Sequence, residues 1–338
     1  CVMTPAAALR RTPLTDLHEA AGARVVDFSG FAMPVQYDGI LDEVKRVRTK
    51  GGLFDLCHMG RVRILGDRRE EAAQWLVHPN ISKMKHGAIR YTFLCREDGT
   101  TMDDVLVYRD LDEVFFCINA GNRDRDIAWM TEAVARFDCT LEDLSEDLAM
   151  IALQGRISTD TLAPLVEGDV PDIIRRPEQS GLGALKYYAF FRGTVCGEPA
   201  MISRTGYTGE DGYELYFAAG KAKEIWGALQ SGGESLGLAP IGLAARDTLR
   251  LEAGMALYGH ELDDTTNPVE AGLLPKMVKH THDFSGRAAL EAIIAEGPKR
   301  RLVGFTTGSP RVPRQGYELF AEADGGQAVG TVCSGSPS

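Results

Sequence analysis

Gly99-Thr100-Thr101-Met102-Asp103-Asp104-Val105-Leu106-Val107-Tyr108 reads as a β-strand that opens on two adjacent carboxylates. Val105 to Tyr108 are β-branched, aliphatic or aromatic, and Glu97-Asp98-Gly99 just ahead of them is a hairpin-turn signal. With a side-chain period of two, Met102, Asp104, Leu106 and Tyr108 share one face, and Asp103, Val105 and Val107 share the other. One of the two acids therefore turns toward apolar surface. A carboxylate held there must be neutral, paired or employed, because isolated burial of its charge is costly. The alternative, on local sequence, is a solvated turn with two surface acids.

Strand patterns on either side, at residues 91–95 and 114–119, are joined to 102–108 by Glu97-Asp98-Gly99 and Asp110-Leu111-Asp112. Short connections of this kind imply an antiparallel meander in which Tyr91, Asp104, Tyr108 and Asn119 line one surface. Before it, helix patterns cover 13–22, 40–50 and 69–77, strand patterns cover 25–28 and 61–65, and Gly30 to Pro34 reads as a turn. After it come a helix at 122–137, a strand at 149–155, a helix at 159–165, and strand material around 187–195 and 201–205. Gly206-Tyr207-Thr208-Gly209-Glu210-Asp211-Gly212 is a tight loop leading into a strand that carries Glu214 opposite Tyr213, Leu215 and Phe217. The loop lacks the Lys-Ser/Thr of a phosphate loop and does not match GxGxxG. Helices follow at 221–232 and 241–253, where Arg246 and Arg250 are four apart, with Asp247 and Glu252 as ordinary surface partners. His58 reads as a hydrogen-bonded core histidine rather than a ligand.

The chain has 338 residues, which implies two or three domains, and its formal charge of −11 is scattered. No basic stripe could replace the counterions of a nucleic acid; Lys299-Arg300-Arg301 with Arg311 and Arg314 is a short, solvated edge. Seven cysteines show neither CxxC nor Cys/His spacing, so buried thiols in a reducing compartment explain them better than disulfides or a metal site. No apolar run reaches the roughly 18 residues of a membrane span. The first residue is Cys1, which points to a missing upstream piece, and the residues up to Arg11 lack the apolar core of a secretory signal. The division expected is 1–297 as one region and 298–338 as a small β module whose short strands begin at 301–306. The strand-like residues 328–332 lie so near the last residue that the chain is expected to stop inside that module.

Four segments carry a resemblance: Leu53-Phe54-Asp55-Leu56-Cys57-His58-Met59-Gly60, Met102 to Tyr108, Gly206 to Glu214, and Gly242 to Gly254. In order and spacing they look like the signature segments of the glycine cleavage T-protein family, the tetrahydrofolate-dependent aminomethyltransferases. The resemblance implies an α+β fold, a three-lobed cloverleaf of antiparallel sheets with flanking helices around a central folate channel, with a C-terminal β-barrel-like module that is incomplete here. The region 1–297 would hold two interleaved α+β lobes. The implied reaction moves the one-carbon unit from the aminomethyl-lipoyl arm of H-protein to tetrahydrofolate, releases ammonia and yields 5,10-methylenetetrahydrofolate. Asp104 matches the acid at the reacting end of the folate and Glu214 the carboxylate that holds the pterin. Tyr91, Tyr108, Asn119, Tyr207 and Arg246 match channel-lining positions. No metal is implied. The implied partners are lipoylated H-protein and folate, with neither nucleic acid nor membrane, in a bacterial cytoplasm or a mitochondrial matrix.

Asp103→Asn is expected to be much milder than Asp104→Asn. The chain departs from the family pattern at Cys57 in place of serine, at Thr100-Thr101 and at Leu274-Pro275-Lys276-Met277. Alternatives are another folate-dependent one-carbon transferase or demethylase of the same superfamily, or a non-catalytic folate-binding assembly factor. The Lys-Gly-Cys-Tyr-like motif of the last is absent.

Overall fold

Thr101–Arg109 is the second strand of a five-stranded antiparallel sheet, ordered Ala88–Cys95, Thr101–Arg109, Val114–Ile118, Gly60–Leu65 and Thr140–Asp143. The expected meander is present, with Leu106 opposite Tyr91 on one side and Cys117 on the other. This computed structural model describes residues 8–273, 282–308, 311–322 and 325–338. Residues 274–277, one of the departures from the family pattern, lie outside the described residues.

A second sheet has seven strands, in the order Val166–Glu167, Phe190–Val195, Glu198–Ser203, Gly212–Ala218, Leu148–Gln154, Gly51–Asp55 and Leu238–Pro240. All its pairings are antiparallel except the last, where Leu238–Pro240 runs parallel to Gly51–Asp55. Its central strands are buried on both faces, which is why they read as continuous apolar runs. On Leu148–Gln154, Ala149, Ile151 and Leu153 enter the core beneath the helix Ala222–Glu234, while Met150 and Ala152 enter the core between the two sheets. On Gly212–Ala218, Tyr213, Leu215 and Phe217 take the first side and Tyr216 the second.

The inter-sheet core is where the site is positioned. Tyr108 and Phe115 from the five-stranded sheet meet Tyr216, Phe190 and Phe54 from the seven-stranded one. The Tyr108 and Tyr216 rings meet edge to face, and their hydroxyls are 2.8 Å apart. Val105 and Val107 point the opposite way, into a core closed by the helices Arg69–Leu76 and Arg123–Ala135. Met102 joins them rather than Leu106. The register shifts between Leu94 and Cys95, leaving Met102 as an extra residue in the Thr101–Arg109 strand. Such a bulge reverses the alternation on its far side, so the expected placement of Met102 with Asp104 is corrected.

Two other expectations change. Only Ser29 and Gly30, with positive φ, form the turn; Phe31–Gln36 is already strand, paired with Arg24–Phe28. Residues 301–306 form no strand: Val303 and Phe305 are largely exposed, and among the described residues one backbone bond holds this stretch, from the Leu302 N–H to the Glu270 carbonyl at 3.0 Å. One isolated backbone bond does not make a ladder, so the strand pattern does not become a strand. Among the described residues the C-terminal module is one open two-stranded sheet, Glu318–Glu322 with Gly325–Thr331, and no closed barrel. The α+β class and its separate sheets match expectation. No described helix is long and apolar enough to cross a membrane.

The N-terminal segment is anchored to the end of Gly51–Asp55 through one buried carboxylate. Asp55 accepts from Thr12 Oγ1 at 2.6 Å, His18 Nε2 at 2.9 Å and the Cys57 N–H at 2.8 Å. Burial pushes this carboxyl up, but these donors together outweigh it and hold it below 3.8. A lowered folded pKa means stability that is present above the unfolded value and lost as pH falls through the folded one. Asp55→Asn is expected to cost about 2–3 kcal/mol at neutral pH and markedly less near pH 3. Urea unfolding at the two pH values checks this; an equal loss at both would show that the charge is irrelevant.

Candidate functional site

Asp104 and Glu214 both lie on faces that look into the inter-sheet space, because Asp104 is in phase with Leu106 and Tyr108, and Glu214 with Tyr216. Asp104 is partly exposed, and Asp103 on the other face is fully buried. Asp104 accepts from Tyr91 Oη at 2.9 Å and from Asn119 Nδ2 at 2.9 Å. Tyr91 reaches it from the strand on one side of Thr101–Arg109, and Asn119 from directly after the end of Val114–Ile118 on the other. Burial, and then the charge of Asp103, push the Asp104 carboxyl up to about 7, against the pull of these two donors. A carboxyl that titrates near neutrality can both hold and release a proton.

Asp103 accepts from the Asn119 N–H at 3.0 Å, Asn119 Nδ2 at 2.9 Å and Asn122 Nδ2 at 2.6 Å. Asp103→Asn is therefore expected to cost stability, a different quantity from the turnover on which it was expected to be milder than Asp104→Asn. An amide there would turn an N–H toward donors inside the protein, which costs more than a surface change.

Glu214 is buried, 4% exposed, and accepts from Thr205 Oγ1 at 2.5 Å; Thr205 is in turn 2.6 Å from Ser203 Oγ. Burial raises the Glu214 carboxyl, while the Thr205 bond and the Arg246 charge lower it. Arg246, on the helix Leu243–Glu252, stacks its guanidinium over the Tyr207 ring at 4.8 Å from the centroid. Its Nη1 is buried and has no hydrogen-bond partner. Tyr207 donates to the Ala256 carbonyl and lies within reach of the charges of both Asp104 and Arg246, so it links the two ends of the site. The glycines of its loop are there for space. A Cβ on Gly206 or Gly212 would strike the Gln154 side chain, whose Nε2 holds the Thr205 carbonyl at 3.0 Å.

Of the seven residues named from sequence, Tyr91 and Asn119 are bonded to Asp104, Arg246 lies near Glu214 and under the charge of its carboxylate, and Tyr207 stands near both Asp104 and Arg246. Tyr108 is the exception in kind. It has no exposed surface, and its hydroxyl is spent on Tyr216, so in this structure it is a core residue beneath the site and not an open wall. Arg250 likewise is not a surface residue: it is fully buried, pairs with Asp247 at 2.8 Å and Glu261 at 2.7 Å, and supports the same helix. His58 is buried beside Phe28 and Phe31, and burial lowers it to about 3, so it is neutral. Its Nδ1 has no partner. Cys57 is buried, with its sulfur 3.4 Å from the Met150 carbonyl, and burial pushes its thiol well up, so it occupies the serine position as an inert group. Sequence reading missed Thr205 and Asn122. Thr205 could have been found from Ser203-x-Thr205, two hydroxyls on one face ahead of the loop.

A family model described as "GCVT N-terminal domain" matches residues 14–280. The chain belongs to the GCVT family. A relative from Saccharopolyspora erythraea, named aminomethyltransferase, is 43% identical over 97% of this chain and 86% of its own length. One of the same name from Clostridium botulinum strain Kyoto is 40% identical over 97% and 85%. The crystal structure of glycine cleavage system aminomethyltransferase T from Bartonella henselae superposes with a TM-score of 0.86 at 32% identity, covering 97% of this chain and 86% of that one.

The raised Asp104 carboxyl makes a stability prediction. Its folded pKa lies above the unfolded 3.8, so the wild type loses stability as pH rises through this interval toward 7. Asp104→Asn is therefore expected to be more stable than wild type at pH 8.5 by at least about 1 kcal/mol, with the advantage shrinking toward pH 4. Denaturant melts across this range test it. An advantage independent of pH would mean that Asp104 is not raised.

Proposed function

We propose that the Asp104 to Glu214 site binds tetrahydrofolate and that lipoylated H-protein delivers the one-carbon unit to it. The chain is an aminomethyltransferase of the glycine cleavage system. It moves the aminomethyl carbon to tetrahydrofolate with release of ammonia, giving 5,10-methylenetetrahydrofolate. The observation that carries the folate reading is the buried, partnerless Arg246 Nη1 in the electrostatic reach of the buried Glu214 carboxylate, which accepts from the Thr205 side chain. A pterin ring offers an N–H and an exocyclic NH2 side by side for the carboxylate and a carbonyl oxygen for the guanidinium. Each such charge-assisted bond contributes about 1.5–3 kcal/mol. Tyr91 and Tyr207 supply flat walls with polar edges.

At the other end, positive charge develops on the one-carbon unit as ammonia leaves. Asp104, held by Tyr91 and Asn119, is placed to stabilise that charge and to accept a proton. Its pKa near neutrality suits both tasks. Asp103 faces the protein interior and has no such role. The division of the chain at 297/298 belongs to the same reading, with the β module as an accessory to the folate region. The six described cysteines are free, which fits a reducing compartment such as a bacterial cytoplasm or a mitochondrial matrix.

Asp104→Asn is expected to keep folate affinity while turnover with aminomethylated H-protein falls by roughly 10²–10⁴. Glu214→Gln is expected to weaken folate binding by about 10- to 100-fold. Calorimetric titration with tetrahydrofolate and single-turnover assays separate the two effects. Unchanged turnover in Asp104→Asn would remove that residue from the chemistry, and unchanged affinity in Glu214→Gln would place the pterin elsewhere.

A further inference from the structure

Asp126 lies one turn into the helix Arg123–Ala135 and has no exposed surface. It falls on the apolar stripe of that helix, in phase with Met130 and Ala133, where an acid is out of place. Neither carboxyl oxygen receives a hydrogen bond. Arg125 is the near cation, but its Nε stands 3.5 Å from Asp126 Oδ1 and makes no hydrogen bond. The Arg125 Nη atoms are committed to Asp264 at 2.9 Å and to the Met102 carbonyl. A second carboxyl, Asp103, also lies within hydrogen-bonding range of Asp126, and its influence there exceeds that of Arg125.

Two carboxylates in contact without a donor between them cannot both be ionised inside a protein. The shared proton is placed on Asp126, because Asp103 already accepts three N–H bonds, two from Asn119 and one from Asn122. An ionised carboxylate has about four acceptor sites. The remaining one fits an O–H. Burial and the adjacent charge push Asp126 up to about 10, in agreement with this assignment.

We propose that Asp126 is a positioning residue: a protonated acid whose O–H donates to Asp103, completing the shell that fixes Asn119 against Asp104. Asn119 Nδ2 touches both Asp103 Oδ1 and Asp104 Oδ1 at 2.9 Å, so whatever steadies Asp103 steadies the donor on Asp104. Sharing a proton also spreads the Asp103 charge, which otherwise bears directly on Asp104 and raises it. The charged groups around this pair are Asp104 on the same strand, Arg125 on the same helix, and Asp264 on the loop that Arg125 holds. The functional half of this inference rests on the reading of Asp104 as the reacting-end acid; the protonation half does not.

Two measurements on the full chain test it. In the infrared difference between wild type and Asp126→Asn at pH 8.5, where Asp104 is ionised, the wild type is expected to show the C=O stretch of a protonated carboxylic acid that the variant lacks. Absence of that band would mean an ionised Asp126 paired with Arg125, and would overturn the proposal whatever the activity. In the pH profile of kcat/KM, Asp126→Ala is expected to move the acidic limb upward by about half a pH unit or more, because Asp103 then turns its full charge on Asp104. Asp126→Asn, which still donates one N–H to Asp103, is expected to restore the limb. Equal shifts in both variants would also overturn the proposal, and if the alanine variant does not fold the infrared result decides alone. If Asp104→Asn keeps full turnover while the infrared band is present, the reading of Asp104 fails and the proton assignment stands.

Discussion

The contact on which the rest depends is the meeting of two sheets through aromatic side chains. Tyr108 and Tyr216 touch across the inter-sheet core, edge to face and hydroxyl to hydroxyl, with Phe115 and Phe190 packed around them. Each ring buries a large apolar area, and the paired hydroxyls remove the penalty that two buried O–H groups would otherwise carry. Because strands alternate with a period of two, clamping Tyr108 to Tyr216 also dictates where Asp104 and Glu214 point. The site is a consequence of that register: a slip of one residue in either strand would send its carboxylate into the opposite core.

Once the two acids face one space, their neighbours give them different characters. Both are raised by burial. Asp104 has a second carboxylate behind it and neutral donors beside it, so it is poised near neutrality. Glu214 has Arg246 nearby and a hydroxyl donor, which favour its ionised form. Environments that separate two carboxylates in this way assign one to proton movement and the other to fixed recognition. Asp103 and Asp126 extend the pattern by a layer, with one proton serving two acids beside a cation, Arg125, that stands 3.5 Å away and makes no hydrogen bond to Asp126.

Beside exposed long-range ion pairs such as Arg10–Glu146 and Lys223–Asp16, the supporting elements are tied by single buried groups. Asp55 gathers three donors from the N-terminal segment and its own turn, and fully buried Arg61 spans the Cys57, Met59 and Ser145 carbonyls. Arg250 joins its helix to Glu261 and to the hydroxyl of Ser334 in the C-terminal segment. Such groups contribute specificity as much as stability, since each satisfies its partners in only one arrangement.

Much of this was legible in the linear chain. The meander around residues 99–119, most helices, the apolar strands and six site residues follow from period, turn chemistry and four family-like segments, because these are local properties. What the chain alone did not disclose depends on contacts between distant residues. The bulge at Met102 arises from pairing with Leu94 and Cys95, and the strand at Phe31–Gln36 from its neighbour, while residues 301–306 are held, among the described residues, by one backbone bond and pair in no ladder. Tyr108 and Arg250 looked like a wall and a surface charge until the opposing elements covered them. Spacing showed that one of two adjacent acids must face inward. Only the tertiary structure decided that Asp103 meets Asp126 while Asp104 meets Tyr91 and Asn119, because burial and donor supply belong to the surroundings of a side chain and not to its place in the sequence.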